Sequence, residues 1–240
     1  MLSKSQIKLI TQLKQKKYRQ QHGFFVVEGV KTIRELLKSH LELHKLYTTE
    51  SFNIDAKDEV LISEPDLKRI SFLRTPNKAL AVFKIPVPKS IDHSGLIVAL
   101  DAVRDPGNLG TIIRMCDWFG VKELVCSKET VDCFNPKVVQ ATMGSITRVN
   151  ISYVDLLPFL EQHESPVFGA FMDGENVYKA TLPEQGVLVM GNEANGVSKG
   201  VEAVITEKIA IPRFGDLQAT ESLNVATATA ILLSEFRRGF

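Results

Sequence analysis

Cysteine is scarce and odd in number: Cys116, Cys126 and Cys133 are the three in 240 residues, and no two form a Cys-x-x-Cys pair. Neither a disulfide framework nor a structural zinc site is supported, so a reducing compartment is expected. No apolar run approaches the roughly 18 residues that span a bilayer, so no membrane partner is expected. The opening stretch MLSKSQIKLITQLKQKKYRQ lacks the apolar core and small-residue cleavage site of a secretory signal, and the chain reads as cytoplasmic. The GxGxxG and GK[ST] signatures are missing too, which disfavours NAD, nucleoside triphosphates and a nicotinamide oxidoreductase. What remains is ordinary for a globular protein: 44% hydrophobic, 24% charged, and long enough for one large or two modest domains.

Acids are absent from the first 27 residues, which carry Lys4, Lys8, Lys14, Lys16, Lys17 and Arg19. Residues 1–90 hold 17 Lys/Arg against 9 Asp/Glu, and residues 91–240 hold 12 against 19. A basic first half beside an acidic second half fits a polyanion-holding module attached to a catalytic one, or a solvated basic helix face.

Periodicity divides the chain at the same place. A charged helix with Ile7, Ile10 and Leu13 comes first, then a strand at 24–29 and a helix at 30–39. Strands near 43–48, 59–63 and 79–85, with a helix near 65–72, complete a small α/β unit over 1–86. IPVPKSIDHSG carries two prolines and no periodicity, and places a linker at 87–94. From 95 to 240 strands and helices alternate. Strands are expected at 96–103, 123–127, 147–153, 167–172, 186–191 and 208–212, and helices at 107–119, 135–143, 155–162, 198–206 and 220–238. Such alternation implies a mostly parallel, two-sided sheet with ligands at the carboxyl ends of its strands.

Three loops there carry unusual chemistry. In LDAVRDPGNLGTIIRMCDWFG (100–120), Pro106-Gly107 turns the chain, Asn108 opens a helix, and Leu109, Ile112, Ile113, Cys116 and Phe119 form a buried stripe. Arg114 falls nearly opposite that stripe, as a functional or a solvated arginine. In LVMGNEANGVS (188–198), Gly191 would let a flat ligand approach the backbone, Glu193 is an acceptor, and Ser198 is a plausible helix N-cap. A polar strand-to-helix turn would read the same way. In KIAIPRFGDLQATESLNVATATAILL (208–233), a helix opens at Ser222-Leu223-Asn224, and the small residues 226–230 allow close packing.

In this order and spacing the three segments resemble the motifs of the SpoU (TrmH) family of RNA 2′-O-methyltransferases, within the SPOUT superfamily. ATMGSITRV (141–149) resembles the stretch between the family's first two motifs. KKYRQQHGFFVVEGVKTIREL and LRTPNKALAVF resemble its auxiliary RNA-binding domain. The resemblance implies a parallel-sheet α/β domain with a deep trefoil knot, preceded by a small α/β RNA-binding domain. It implies S-adenosylmethionine as methyl donor, held at Gly191, Ile211 and Leu223, and no metal. It implies polar site residues Asn108, Arg114, Glu193, Ser222 and Asn224, a homodimer formed through the knotted domain, and RNA contacts from Lys16, Lys17 and Arg19.

The implied reaction needs in-line alignment of a ribose oxygen with the methyl carbon and loss of the hydroxyl proton. Arg114 matches the family's proposed base. Guanidinium is essentially always protonated, so two readings stand: transient deprotonation near a phosphate, or stabilisation of a developing alkoxide. The DLQATE insertion after Gly215 makes the third loop longer than the family's usual spacing. Arg213 and Phe214 also stand where the family more often has a small or polar residue and methionine. Ribosomal RNA is the expected substrate and transfer RNA the alternative. An RNA-binding protein that has lost catalysis and a base-directed methyltransferase are the rival readings.

Overall fold

The first helix expected from the sequence is broken in two. Ser3 opens α1 (Lys4–Gln12) with a capping box shared with Gln6, and α2 (Lys16–His22) follows. The break has a side-chain cause. The carbonyls of Leu13 and Lys14 accept from Arg19 Nη1 at 2.9 and 3.0 Å, in place of the amides that would continue a helix. The chain continues through β1 (Phe24–Glu28), α3 (Val30–Leu37), β2 (Leu43–Thr48), β3 (Glu59–Leu61), α4 (Glu64–Ile70) and β4 (Ala79–Lys84). These strands form one mixed sheet in the order β1-β4-β2-β3. Ile10, Leu13, Val26, Leu67, Ile70, Leu80 and Val82 bury their side chains together in its core, each stabilising by about 1.5–3 kcal/mol relative to exposure.

Residues 85–93 carry no regular structure. Then come β5 (Leu96–Leu100), α5 (Pro106–Trp118), β6 (Glu123–Ser127), α6 (Pro136–Thr142), a 3₁₀ turn (Ser145–Thr147), β7 (Asn150–Val154) and α7 (Leu156–Glu161). The chain ends with β8 (Val167–Asn176), β9 (Gly186–Met190), α8 (Lys199–Glu202), β10 (Glu207–Ala210) and α9 (Val225–Phe236). The computed structural model describes residues 2–214 and 222–239. It forms two compact units, and they are not successive blocks. One comprises Met1–Val87 with Asp132–Thr147, the other Pro88–Val131 with Arg148–Phe240.

In the second unit six parallel strands run in the order β10-β8-β9-β5-β6-β7. The segments LIVAL, ELVCS and GVLVM are buried at every position, as two-sided strands must be. β8 runs four residues beyond the expected 172. Its far half pairs with β10 after a register shift between Lys208 and Ile209, and a Cβ on Gly174 would overlap the Ile209 backbone. The helix expected at 198–206 shrinks to Lys199–Glu202, because Thr206 already exchanges backbone and hydroxyl bonds with Val167 to start β10. Among the described residues no helix is long and apolar enough to cross a membrane.

The chain leaves β5 toward β6 on one side, whereas β9 leads to β10 on the other. The β5/β9 pair is therefore the topological switch point, the place where such sheets bind ligands beyond the strands' carboxyl ends.

Candidate active site

Two of the three suspect loops leave this switch point. After β5, Ala102 takes a left-handed conformation (φ 57°), its amide donating to Ser127 Oγ at 3.0 Å. Asp105 then caps α5, its carboxylate accepting from the Asn108 amide at 2.8 Å, with Pro106 at the first helical position. Leu109, Ile112, Ile113 and Cys116 face inward; Phe119 is half-buried at the helix end. Burial pushes the Cys116 thiol up to about 12. Arg114 points away from this stripe, exposed, with no hydrogen bond or ion pair to another described residue.

The loop after β9 closes on itself. Asn192 and Gly196 exchange backbone hydrogen bonds at 2.9 Å, and Asn192 Oδ1 accepts from the Ala194 and Asn195 amides. Glycine is required at 191 for a reason other than ligand approach. A Cβ there would overlap the returning Gly196–Val197 backbone. Asn192 Nδ2 donates to the Ala102 carbonyl at 2.6 Å, tying the two loops together. The Glu193 carboxylate crosses the same gap and accepts from the Arg104 and Asp105 amides (3.2 and 3.1 Å) and from Asn108 Nδ2 (3.0 Å). Partial burial pushes its pKa up, but the Asn108 donor and the backbone amides outweigh that and hold it below the ordinary carboxylate value. Glu193 is thus an anionic acceptor between loops.

The third loop joins through its last residue. Asn224, and not Ser222, caps α9: its Oδ1 accepts from the Ala226 and Thr227 amides, so the helix starts five residues later than expected. Asn224 Nδ2 donates to Asn108 Oδ1 at 2.8 Å. Asn108 accepts from Asn224 and donates to Glu193, which fixes which way its amide points. Three residues from three loops form one relay, Asn224–Asn108–Glu193. In α9, which packs against α5, Ala226 and Thr229 are buried within the chain.

The structure brings together some of the expected residues and separates others. Asn108, Glu193 and Asn224 are hydrogen-bonded to one another. Ser222 is exposed and bonds to no other described residue, two positions from the relay. Ile211 is half-buried at the end of β10, and Leu223 is half-exposed beside Asn224. The 215–221 stretch, whose length set this sequence apart, lies outside the described residues. Lys16 and Lys17 are exposed, but the RNA contact expected of Arg19 is corrected. Arg19 is 2% exposed, with Nε and Nη2 on Asp132 Oδ2 (2.9 and 2.5 Å) and Nη1 on two carbonyls. Four of its five N–H donors are engaged inside the fold, and burial keeps the group from a phosphate. Sequence reasoning missed Asp101, Asp105 and Asn192. Asp105 was within reach, since Asp before Pro at a helix start is a capping signature; the other two act through bonds across the chain.

With this geometry in view, the profile of the "SpoU rRNA Methylase family" matches residues 95–234, and that of an "MRM3-like substrate binding domain" matches 4–81. The chain is 31% identical over 234 residues to the 23S rRNA (guanosine(2553)-2'-O)-methyltransferase RlmP of Bacillus subtilis, covering 92% of each. It superposes with a TM-score of 0.90 on a putative RNA methyltransferase of the TrmH family from Porphyromonas gingivalis, at 40% identity and full coverage of both chains. It superposes at 0.87 on an AdoMet-bound rRNA methyltransferase from Sinorhizobium meliloti, at 29% identity, covering 100% and 97%.

Proposed function

The chain belongs to the SpoU rRNA Methylase family, and on that footing we propose that it transfers the methyl group of S-adenosylmethionine to a ribose 2′-hydroxyl of ribosomal RNA. The observation that carries the reading is the Asn224–Asn108–Glu193 relay, which joins three loops at the switch point and leaves Arg114 exposed on the helix that Asn108 opens. The donor fits there. Ile211 after β10 and Leu223 before α9 offer partly open apolar side chains, and Gly191 offers partly exposed backbone at the end of β9.

Bound there, S-adenosylmethionine supplies an electrophilic methyl whose leaving group is a neutral thioether. The protein's own residues align and discharge the acceptor. Arg114 presents a positive charge with unused donors to the ribose oxygen or an adjoining phosphate, and stabilises the developing alkoxide as the hydroxyl proton passes to solvent water. Glu193 and Asn224 hold the Asn108 amide in one orientation, so its loop is set before RNA arrives. Lys16 and Lys17 attract the RNA backbone without reading sequence. The 23S rRNA specificity of the Bacillus relative supports the ribosomal choice.

The protein works in the cytoplasm as a homodimer through its knotted catalytic domain. Trp118 supports this: it is 82% exposed and lies one turn beyond Arg114 on the same face of α5. A second copy covering Trp118 would close over the face that carries Arg114. The test is methyl transfer from labelled donor to ribosomal and transfer RNA from cells lacking the gene, with the product mapped as alkali-resistant 2′-O-methyl dinucleotides. Label in transfer RNA alone, or in a base, would overturn the substrate; monomers at micromolar concentration in sedimentation would overturn the dimer.

A further inference from the structure

We infer that Asp101 is a positioning residue that sets the aperture of the 191–198 loop and, through it, the affinity for the methyl donor. The inference rests on the reading that this loop holds the donor. Asp101 follows β5 at the switch point and is 7% exposed. It clamps both ends of the neighbouring loop. Its amide donates to the Met190 carbonyl at 2.9 Å, where the loop leaves β9. Its carboxylate Oδ2 accepts from the Ser198 amide at 2.7 Å, where the loop enters α8.

The other ties meet the loop between those two ends: Glu193, which is exposed, bonds across to Asn108 and to the Arg104 and Asp105 amides, and Asn192 reaches Ala102 from a half-buried position. Asp101 therefore fixes the span from Met190 to Ser198, and the turn around Gly191 adapts inside that span. Because Gly191 is already in contact with the Gly196–Val197 backbone, lengthening the span shifts the very backbone that meets the donor. Of the relay only Glu193 lies on this loop, and its bonds to the Arg104 and Asp105 amides and to Asn108 tether it to the start of α5, so the relay holds while the turn around Gly191 shifts. Donor affinity and the methyl-transfer step should thus separate.

Asp101→Ala and Ser198→Pro remove opposite ends of one bond. Ser198 has φ −67°, which proline adopts without strain, so that change deletes the amide and little else. Each variant is expected to raise the calorimetric Kd for S-adenosylmethionine by tenfold or more. kcat at saturating donor should fall less than threefold, with KM for RNA unchanged. The double variant should be no worse than the poorer single, because both remove the same interaction. Asp101→Asn keeps an acceptor oxygen and should restore most of the affinity; if Asp101→Ala fails to fold, Asp101→Asn and Ser198→Pro carry the comparison. A donor Kd within twofold of wild type in Ser198→Pro overturns the inference. So does a parallel loss of kcat, RNA affinity and melting temperature, which marks a merely structural role. Wild-type protein that binds no S-adenosylmethionine overturns the donor reading itself, a separate result.

Discussion

Arg19 on α2 and Arg114 on α5 carry the same charge and look equally available to RNA in the sequence, yet the structure employs them in opposite ways. Arg19 is buried and held by Asp132 and two carbonyls. Arg114 is exposed and keeps every donor unused among the described residues. The difference lies in what the rest of the chain delivers to each. A carboxylate 113 residues away reaches Arg19; no described residue bonds to Arg114. A buried, ion-paired guanidinium holds the fold together, and an exposed one keeps its donors for a ligand.

The contrast can be broken from both sides. Arg114→Ala should lower kcat by about 10²–10⁴ with donor binding and melting temperature intact; full activity would remove Arg114 from the mechanism. Arg19→Ala should do the reverse. It strands Asp132 and destabilises by about 3–5 kcal/mol, read as a shift of the denaturation midpoint, while folded molecules keep their turnover. Asn224→Ala sits between the two: it loses a helix cap worth about 1 kcal/mol and frees the Asn108 amide, so kcat should fall with the midpoint. Lys16→Ala with Lys17→Ala should change stability by only about 0.5 kcal/mol and flatten the salt dependence of RNA binding.

The smallest effect is one of pH. Because the folded Glu193 carboxyl titrates below its usual 4.5, its ties contribute fully above that value and are lost as pH falls through the lower folded value. Melting temperature followed from neutral pH to pH 3 should therefore drop less in Glu193→Gln than in wild type. Equal slopes would show that the carboxylate bonds contribute nothing.

Much of the catalytic fold was legible because two-sided strands are apolar in their middles, as LIVAL, GVLVM and the LVC of ELVCS are. The order of the strands was not, since no local signal says that β9 lies beside β5. The site was legible as three motifs in sequence, and Asn108, Glu193 and Asn224 do meet. Their bonds were not legible: 116 residues separate Asn108 from Asn224. Asp101 was hidden for a similar reason, reading as one position within the strand expected at 96–103 until Ser198 arrives from 97 residues away. The broken first helix could not be foreseen either, because its breaker is the side chain of Arg19 and no proline or glycine marks the place.

One feature of the N-terminal unit governs how the chain comes into being. Synthesis finishes residue 87 long before that unit is whole, because Asp132–Thr147 belong to it. Until they leave the ribosome, Arg19 has no counter-charge and Phe25 lacks the Phe134 ring it packs against at 4.7 Å. Closure of the first module must wait for the opening strands and first helix of the second to be made. The two halves are born as interleaved threads, so a gene cut cleanly between them would leave the first without its last staple.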